Sequence, residues 1–350
     1  INEDDYLSMN ISRRSQDDIF DIVTHTVNQN QNNIDDINTL TKNDENRNFT
    51  NAFLNYNHKI KSLDMVLFSG FQYSSFNQKM FSAILNNFNN TGFELSQNRN
   101  QKFGTDVLSG RVDLEKKFKN EAKLELGGLY LQAESQTDFK VSVINPPSEN
   151  FSIYNYKEKN IAAYSQFSGS YKKLNYMIGL RVENTIAQGK YDTESNLSID
   201  KKYSNLFPKA QFEVAIDSSN TISLNYAKTI TRPNFSSTSQ ISVYINPYFV
   251  WANNVNLDPT ITDEIIIGYQ YKDKSIKLGY FKTSNPVYYG ANYDDFEKLV
   301  LLKKAPPKVI ILKTFNLKTQ NLTDLLIFNK EKIISFCTEE EESILEIYCS

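Results

Sequence analysis

Cysteine is almost absent from this 350-residue chain: Cys337 and Cys349 are the only two, both within the last fourteen positions. No disulfide can staple the first 336 residues, and no thiolate there can bind a metal. Histidine is as scarce, with His25 and His58 far apart and no Cys or carboxylate beside them at ligand spacing. This pattern calls for no metal site and no cofactor. No apolar run approaches the roughly 18 to 20 residues of a membrane-spanning helix, and mean hydropathy is -0.49. A helical membrane protein is excluded, but a β-barrel is not, since its strands show lipid only alternate residues. A net charge of -3 lacks the basic footprint of a nucleic-acid partner. The chain opens at Ile1 without a basic segment and apolar core, so either it stays in the cytoplasm or its true N-terminus lies upstream.

Catalytic punctuation is also missing. There is no Walker loop, GxGxxG, GxSxG, HExxH or CxxC, and no carboxylate pair at a recognisable acid/base spacing, so the reading is of a non-enzyme. Asn-x-Ser/Thr triplets at Asn10, Asn48, Asn89 and Asn150 are what chance gives in an Asn-rich chain.

What the chain does have is aromatic residues, 21 Tyr and 23 Phe, and strict alternation. Ala210, Phe212, Val214 and Ile216 oppose Lys209, Gln211, Glu213 and Ala215. After the turn Asp217-Ser218-Ser219-Asn220, Ile222, Leu224 and Tyr226 oppose Ser223, Asn225 and Ala227. Four more such units read the same way, with turns near 60, 118, 173 and 273. Tyr176, Ile178, Leu180, Phe212, Val214, Leu224, Tyr226 and Ile267 should therefore share an outward face, and Arg181, Gln211, Glu213 and Asn225 an inward one. Tyr171 and Tyr176, and Tyr269, Tyr271 and Tyr280, flank turns as an interfacial girdle would.

Between these units the sequence reads as long polar loops, at 28–48, up to about Arg99, around Pro146 and Pro147, and at 188–202. Residues 1–46 form a polar segment with one strand near Ile19 to Val27, 47–290 the regular region, and 291–350 an atypical, non-native tail with both cysteines and a run of Glu339 to Glu342. A propeller would need short loops throughout and blade-marking motifs. A soluble sandwich has strands of about five or six residues, half the length read here. The expected fold is therefore all-β, an antiparallel transmembrane barrel left partial and open with about ten to twelve strands.

The most specific stretch is SNLFPKAQFEVAIDSSNTISLNYAKTITRP, followed by NPYFVWANNVNLDPTITDEIIIGYQYK. It resembles the C-terminal half of the barrel of TonB-dependent outer-membrane receptors, particularly the Bacteroidota outer-membrane β-barrel family. Leu206-Phe207-Pro208, Arg232-Pro233, Asn256-Leu257-Asp258-Pro259 and Ile267-Gly268-Tyr269 carry the likeness. It departs at Ala252 to Val255, where the family has a glycine, and at Thr260, where Glu is common. The resemblance implies an outer-membrane receptor barrel for TonB-dependent uptake of a ligand such as an iron chelate or a glycan. Its partners would be outer-membrane lipid, the imported molecule, and the TonB complex reached through a plug domain that these residues do not show. Arg232, Tyr244, Tyr248, Phe249 and Trp251 are the candidate ligand-facing residues, because the aromatics offer flat stacking surfaces on a loop stiffened by Pro233, Pro247 and Pro259. The alternative for these aromatics is packing the loop onto the rim, and for Arg181 and Arg232 ion pairing in the lumen. Alternatives for the whole chain are a passive porin-like or adhesin-like barrel, or a soluble extracellular glycan-binding β-protein.

Overall fold

The computed structural model describes residues 4–30, 33–192, 198–239, 242–294, 299–305 and 342–349. Nine long strands come first: β1 (Asp5–Asn30), β2 (Asn33–Ile60), β3 (Met65–Phe88), β4 (Glu94–Lys117), β5 (Lys123–Val143), β6 (Ser148–Tyr171), β7 (Leu174–Tyr191), β8 (Ile199–Ala215) and β9 (Asn220–Thr231). The excursion that follows carries β10 (Ser242–Asn246) and β11 (Phe249–Ala252). Then come β12 (Thr260–Tyr271), β13 (Lys274–Ser284), β14 (Tyr288–Asp294), β15 (Leu299–Ala305) and β16 (Glu342–Cys349). No α-helix occurs among the described residues.

Twelve strands form one sheet in the order β1 to β9, β12, β13, β16, each antiparallel to its neighbours. Its edges, β1 and β16, do not pair with each other, so the sheet is an open partial barrel. The remaining four strands form a second sheet, β10-β11-β15-β14. All five expected turns are present and lie at one end. Two are two-residue turns in which Lys172 (φ 55°) and Lys272 (φ 52°) take left-handed backbone, as the strand twist demands.

The long polar loops are a different matter. Residues 33–48 belong to β2 and pair with β1, and from Ile37 on with β3 as well. β3 and β4 continue to Phe88 and Glu94, and β5 and β6 to Val143 and Ser148. β7 reaches Tyr191 and β8 begins at Ile199. The sequence underestimates the strands because, beyond the lipid, polar side chains suit both faces and only the backbone ladder holds them. Apolar alternation therefore vanishes although pairing does not. Cys337 and most of the Glu run lie outside the described residues.

Register sorts the expected faces as alternation predicts. Ile178 pairs with Ala210, Phe212 with Leu224, and Leu224 with Ile267, all on one face, while Gln211 opposes Asn225 on the other. The first face is the lipid face, with Ile178 52% and Ile267 51% exposed. Its apolar belt on β8 runs from Leu206 to Val214. That is about 30 Å of strand, or roughly 23 Å of height at a ~40° tilt, close to the ~25 Å lipid band of outer-membrane barrels. On β1 the same face carries Leu7, Met9 and Ile11; the strand expected at Ile19 to Val27 is present as the upper part of this longer strand.

Tyrosines mark both edges of the belt. Near the turns, Tyr56 donates to Asp5 Oδ1 (2.7 Å) and Tyr269 to Asn220 Oδ1 (2.5 Å). At the far edge Tyr73 donates to Asp106 (2.8 Å), Tyr130 to Gln132 (2.7 Å) and Tyr226 to Asp263 (2.7 Å). Tyr280 pairs with Ile265, whose other neighbour is Tyr226. It therefore belongs to the far girdle and not to the turn it follows in sequence.

Candidate functional site

Above the belt, the inner face of β6, β7 and β8 carries a cluster of polar side chains that alternation alone aims inward. Glu158 and Asn160 come from β6, Glu183 and Thr185 from β7, Lys201 and Tyr203 from β8. Over them lies the β9–β12 excursion, which starts at Arg232. The Arg232 guanidinium pairs with Glu183 Oε2, donates to Thr185 Oγ1 (3.2 Å) and lies 3.7 Å from Glu158 Oε1. Arg181 pairs with the other oxygen of Glu183. Asn160 donates to both Glu183 Oε2 (3.2 Å) and Thr185 Oγ1 (2.7 Å), and Tyr156 donates to Glu158 Oε2 (2.8 Å). Two buried carboxylates thus face two guanidiniums, the condition under which buried charge is tolerated.

An aromatic cluster adjoins this network. Tyr154 packs on Tyr191 with ring centroids 4.9 Å apart, and Tyr156 on Phe235 at 6.3 Å. Burial pushes the hydroxyls of Tyr154, Tyr156 and Tyr203 above the usual phenol range. Gly189 makes room for the Tyr154 ring, since a Cβ there would collide with its hydroxyl.

The excursion is pinned to the wall at three further places. Tyr244, on β10, lies under the Arg99 guanidinium of β4 at 5.8 Å, which also stands 5.1 Å from the Phe139 ring. Burial lowers Arg99 to about 10 and raises Tyr244. At β1, Thr24 Oγ1 donates to the Ile245 carbonyl (2.9 Å), and Asn246 donates to Thr26 Oγ1 (2.8 Å). At β8, Lys201 donates to the Leu257 carbonyl (3.2 Å) and pairs with Asp258 (2.7 Å). The result is a shelf lying across the inner face of the wall.

Of the five residues singled out in the sequence, Arg232 and Tyr244 are engaged with the wall. Val243 pairs with Trp251 and Tyr244 with Val250, so Trp251 stands with Val243 on the shelf face opposite Tyr244. Trp251 is 37% exposed, while Tyr248 and Phe249 are half-buried beside it. Sequence reasoning missed Glu158, Glu183 and Arg99. The inward parity of Glu183 was readable, but Glu158 and Arg99 fall in stretches that read as polar loops, and the partners that pair all three come from other strands and from the excursion. The described residues contain no cluster of His, Cys, Asp and Glu able to hold a metal.

A model of the outer membrane protein beta-barrel family matches residues 58–338. No curated protein matches the chain in sequence. Solved structures that it resembles include the ferric preacinetobactin receptor BauA of Acinetobacter baumannii, at TM-score 0.44 and 11% identity over 83% of this chain and 50% of that one. Another is the alcaligin outer-membrane receptor FauA of Bordetella pertussis, at 0.46 and 12% over 84% and 48%. A third is the outer membrane transporter YddB of Escherichia coli, at 0.41 and 12% over 87% and 48%. The chain spans about half the length of these structures.

Proposed function

Because the chain belongs to the outer membrane protein β-barrel family and so resides in the bacterial outer membrane, we propose that it forms part of the wall of a substrate-translocating receptor. That receptor takes up a ligand such as an iron chelate or a glycan with energy delivered through TonB. The observation that carries this reading is the shelf, 232–239 and 242–259, folded against the inner face and fixed by Arg232, Tyr244, Asn246 and Lys201. A passive pore is served by an unobstructed lumen. A receptor is served by a rigid platform in it.

The platform's face opposite Tyr244 carries Trp251 and Val243, with Tyr248 and Phe249 alongside. Such a surface suits a ligand with flat apolar faces, an aromatic chelate or the face of a sugar ring. Trp251 is the chain's single tryptophan, so its fluorescence reports on this surface alone. Titrating the chain in detergent micelles with ferric catechol chelates and with oligosaccharides should shift or quench that emission saturably for one class. In cells carrying the full-length receptor, uptake of that ligand should stop when a protonophore collapses inner-membrane energy. Uptake that continues at the same rate would point to passive diffusion and sink the proposal.

A further inference from the structure

Below the shelf, one cross-strand row on the inner face runs Phe68, Asp113, Gly127, Tyr164, Arg181 and Phe207, from β3 to β8. Side chains in such a row ordinarily meet only their direct neighbours. Tyr164 instead reaches across β5: its ring lies over Gly127 and its hydroxyl donates to Asp113 Oδ1 on β4. A Cβ at position 127 would collide with both the Tyr164 ring and the Asp113 carboxylate. Glycine weakens a strand interior, so the contact is kept at the expense of the strand it crosses.

From Tyr164 the contacts climb to the shelf. The Arg181 guanidinium stands 5.2 Å from the centroid of the Tyr164 ring and pairs with Glu183 Oε1. The other oxygen of Glu183 holds Arg232, where the shelf begins. Each group fixes the next: Asp113 sets the ring, the ring seats the guanidinium, and the guanidinium orients the carboxylate that anchors the shelf. At the lower end, Asp113 Oδ2 pairs with Arg111, whose side chain is 54% exposed. Asp113 lies three strands, about 14 Å, from Glu183, and four residues from the end of β4 at the short turns.

We propose that Asp113 and Tyr164 are positioning residues for the shelf, and that through Arg181 and Glu183 they make the hold of Arg232 depend on the state of the lower lumen. One consequence rests on the receptor reading given above: the ligand platform is then governed from the end that carries the short turns, the periplasmic end of such barrels.

Two proteases acting on the full chain in detergent separate shelf from wall. Between Pro233 and Pro259 the shelf has Phe235, Tyr244 and Phe249 for chymotrypsin but no lysine or arginine, so trypsin reports on the wall alone. Tyr164→Leu should speed chymotryptic cleavage of the shelf about twofold to fivefold, the worth of one cation–π contact when cleavage follows the open population. Gly127→Ala, which displaces the ring, should act likewise, and Tyr164→Phe, which keeps the aromatic face but loses the hydroxyl, should fall between. Tryptic cleavage should not change. Placed in an Arg232→Ala chain, Tyr164→Leu should add nothing, since the contact it acts through is gone. Unchanged shelf cleavage in Tyr164→Leu overturns the proposal, as does an equal increase in the Arg232→Ala background or a parallel rise in tryptic cleavage. None of these readouts involves uptake, so they stand or fall separately from the receptor reading.

Discussion

Arg232 shows how much one side chain can settle. It is the first residue after β9, where the excursion begins, and its guanidinium meets two carboxylates, Glu183 and Glu158, from two other strands. Replacing it with Ala leaves both acids buried against Arg181 alone. Losing one partner of a buried pair costs about 3 to 5 kcal/mol, less here because Arg232 is partly exposed, so roughly 2 to 4 kcal/mol is expected. The loss should appear as proteolytic release of the excursion before the wall unfolds, and as partial recovery when Glu183→Gln is added. Cleavage unchanged in Arg232→Ala would show that the pairing does not anchor the shelf. Arg232 itself was legible in the sequence, as part of an Arg-Pro strand end. Its partners were not, because inward parity lists candidates without saying which will meet.

At the scale of the element, each hairpin combines a turn that sets register with a belt that sets orientation. The β8–β9 turn is built on Asp217, whose Oδ1 accepts from the backbone N–H of Ser219 (2.8 Å) and Asn220 (2.9 Å) and from the Asn220 side chain. These donors, the Ser219 N–H foremost, lower the Asp217 carboxyl below its usual range. A lowered folded value means that the stabilisation is complete above the unfolded value of about 3.9 and is lost as pH falls through the folded one. Hydrogen exchange at Asn220, corrected for its intrinsic rate, should thus stay slow down to about pH 4 and quicken below it. An Asp217→Ala variant should be fast throughout, and an identical pH profile in both would refute the role. For the belt, Leu224→Arg should hinder insertion by about 2 to 4 kcal/mol and Asn225→Arg by far less, measured as folding yield into liposomes; equal yields would contradict the faces. Turns and belts were legible because lipid imposes period two. The upper halves of β2 to β8 were not, because water imposes nothing on their faces.

The whole molecule is a wall with two ends. β1 and β16 sit at opposite edges of the twelve-stranded sheet, and through the belt every second residue of β1 turns its N–H and C=O away from any partner. At several kcal/mol per unsatisfied group in hydrocarbon, roughly four such residues cost on the order of tens of kcal/mol. That exceeds the ~5 to 15 kcal/mol that holds an ordinary domain together. In a bilayer these residues alone must therefore add strands at the edges, associate edge to edge, or stay out of the membrane. Liposomes reconstituted with only this chain should take up neither ferric chelates nor oligosaccharides, and cross-linking through cysteines placed on β1 should trap chain-to-chain pairs in register. Uptake at a rate above that of empty liposomes, with β1 and β16 cross-linking to each other within one chain, would mean that the wall closes by itself into a small barrel.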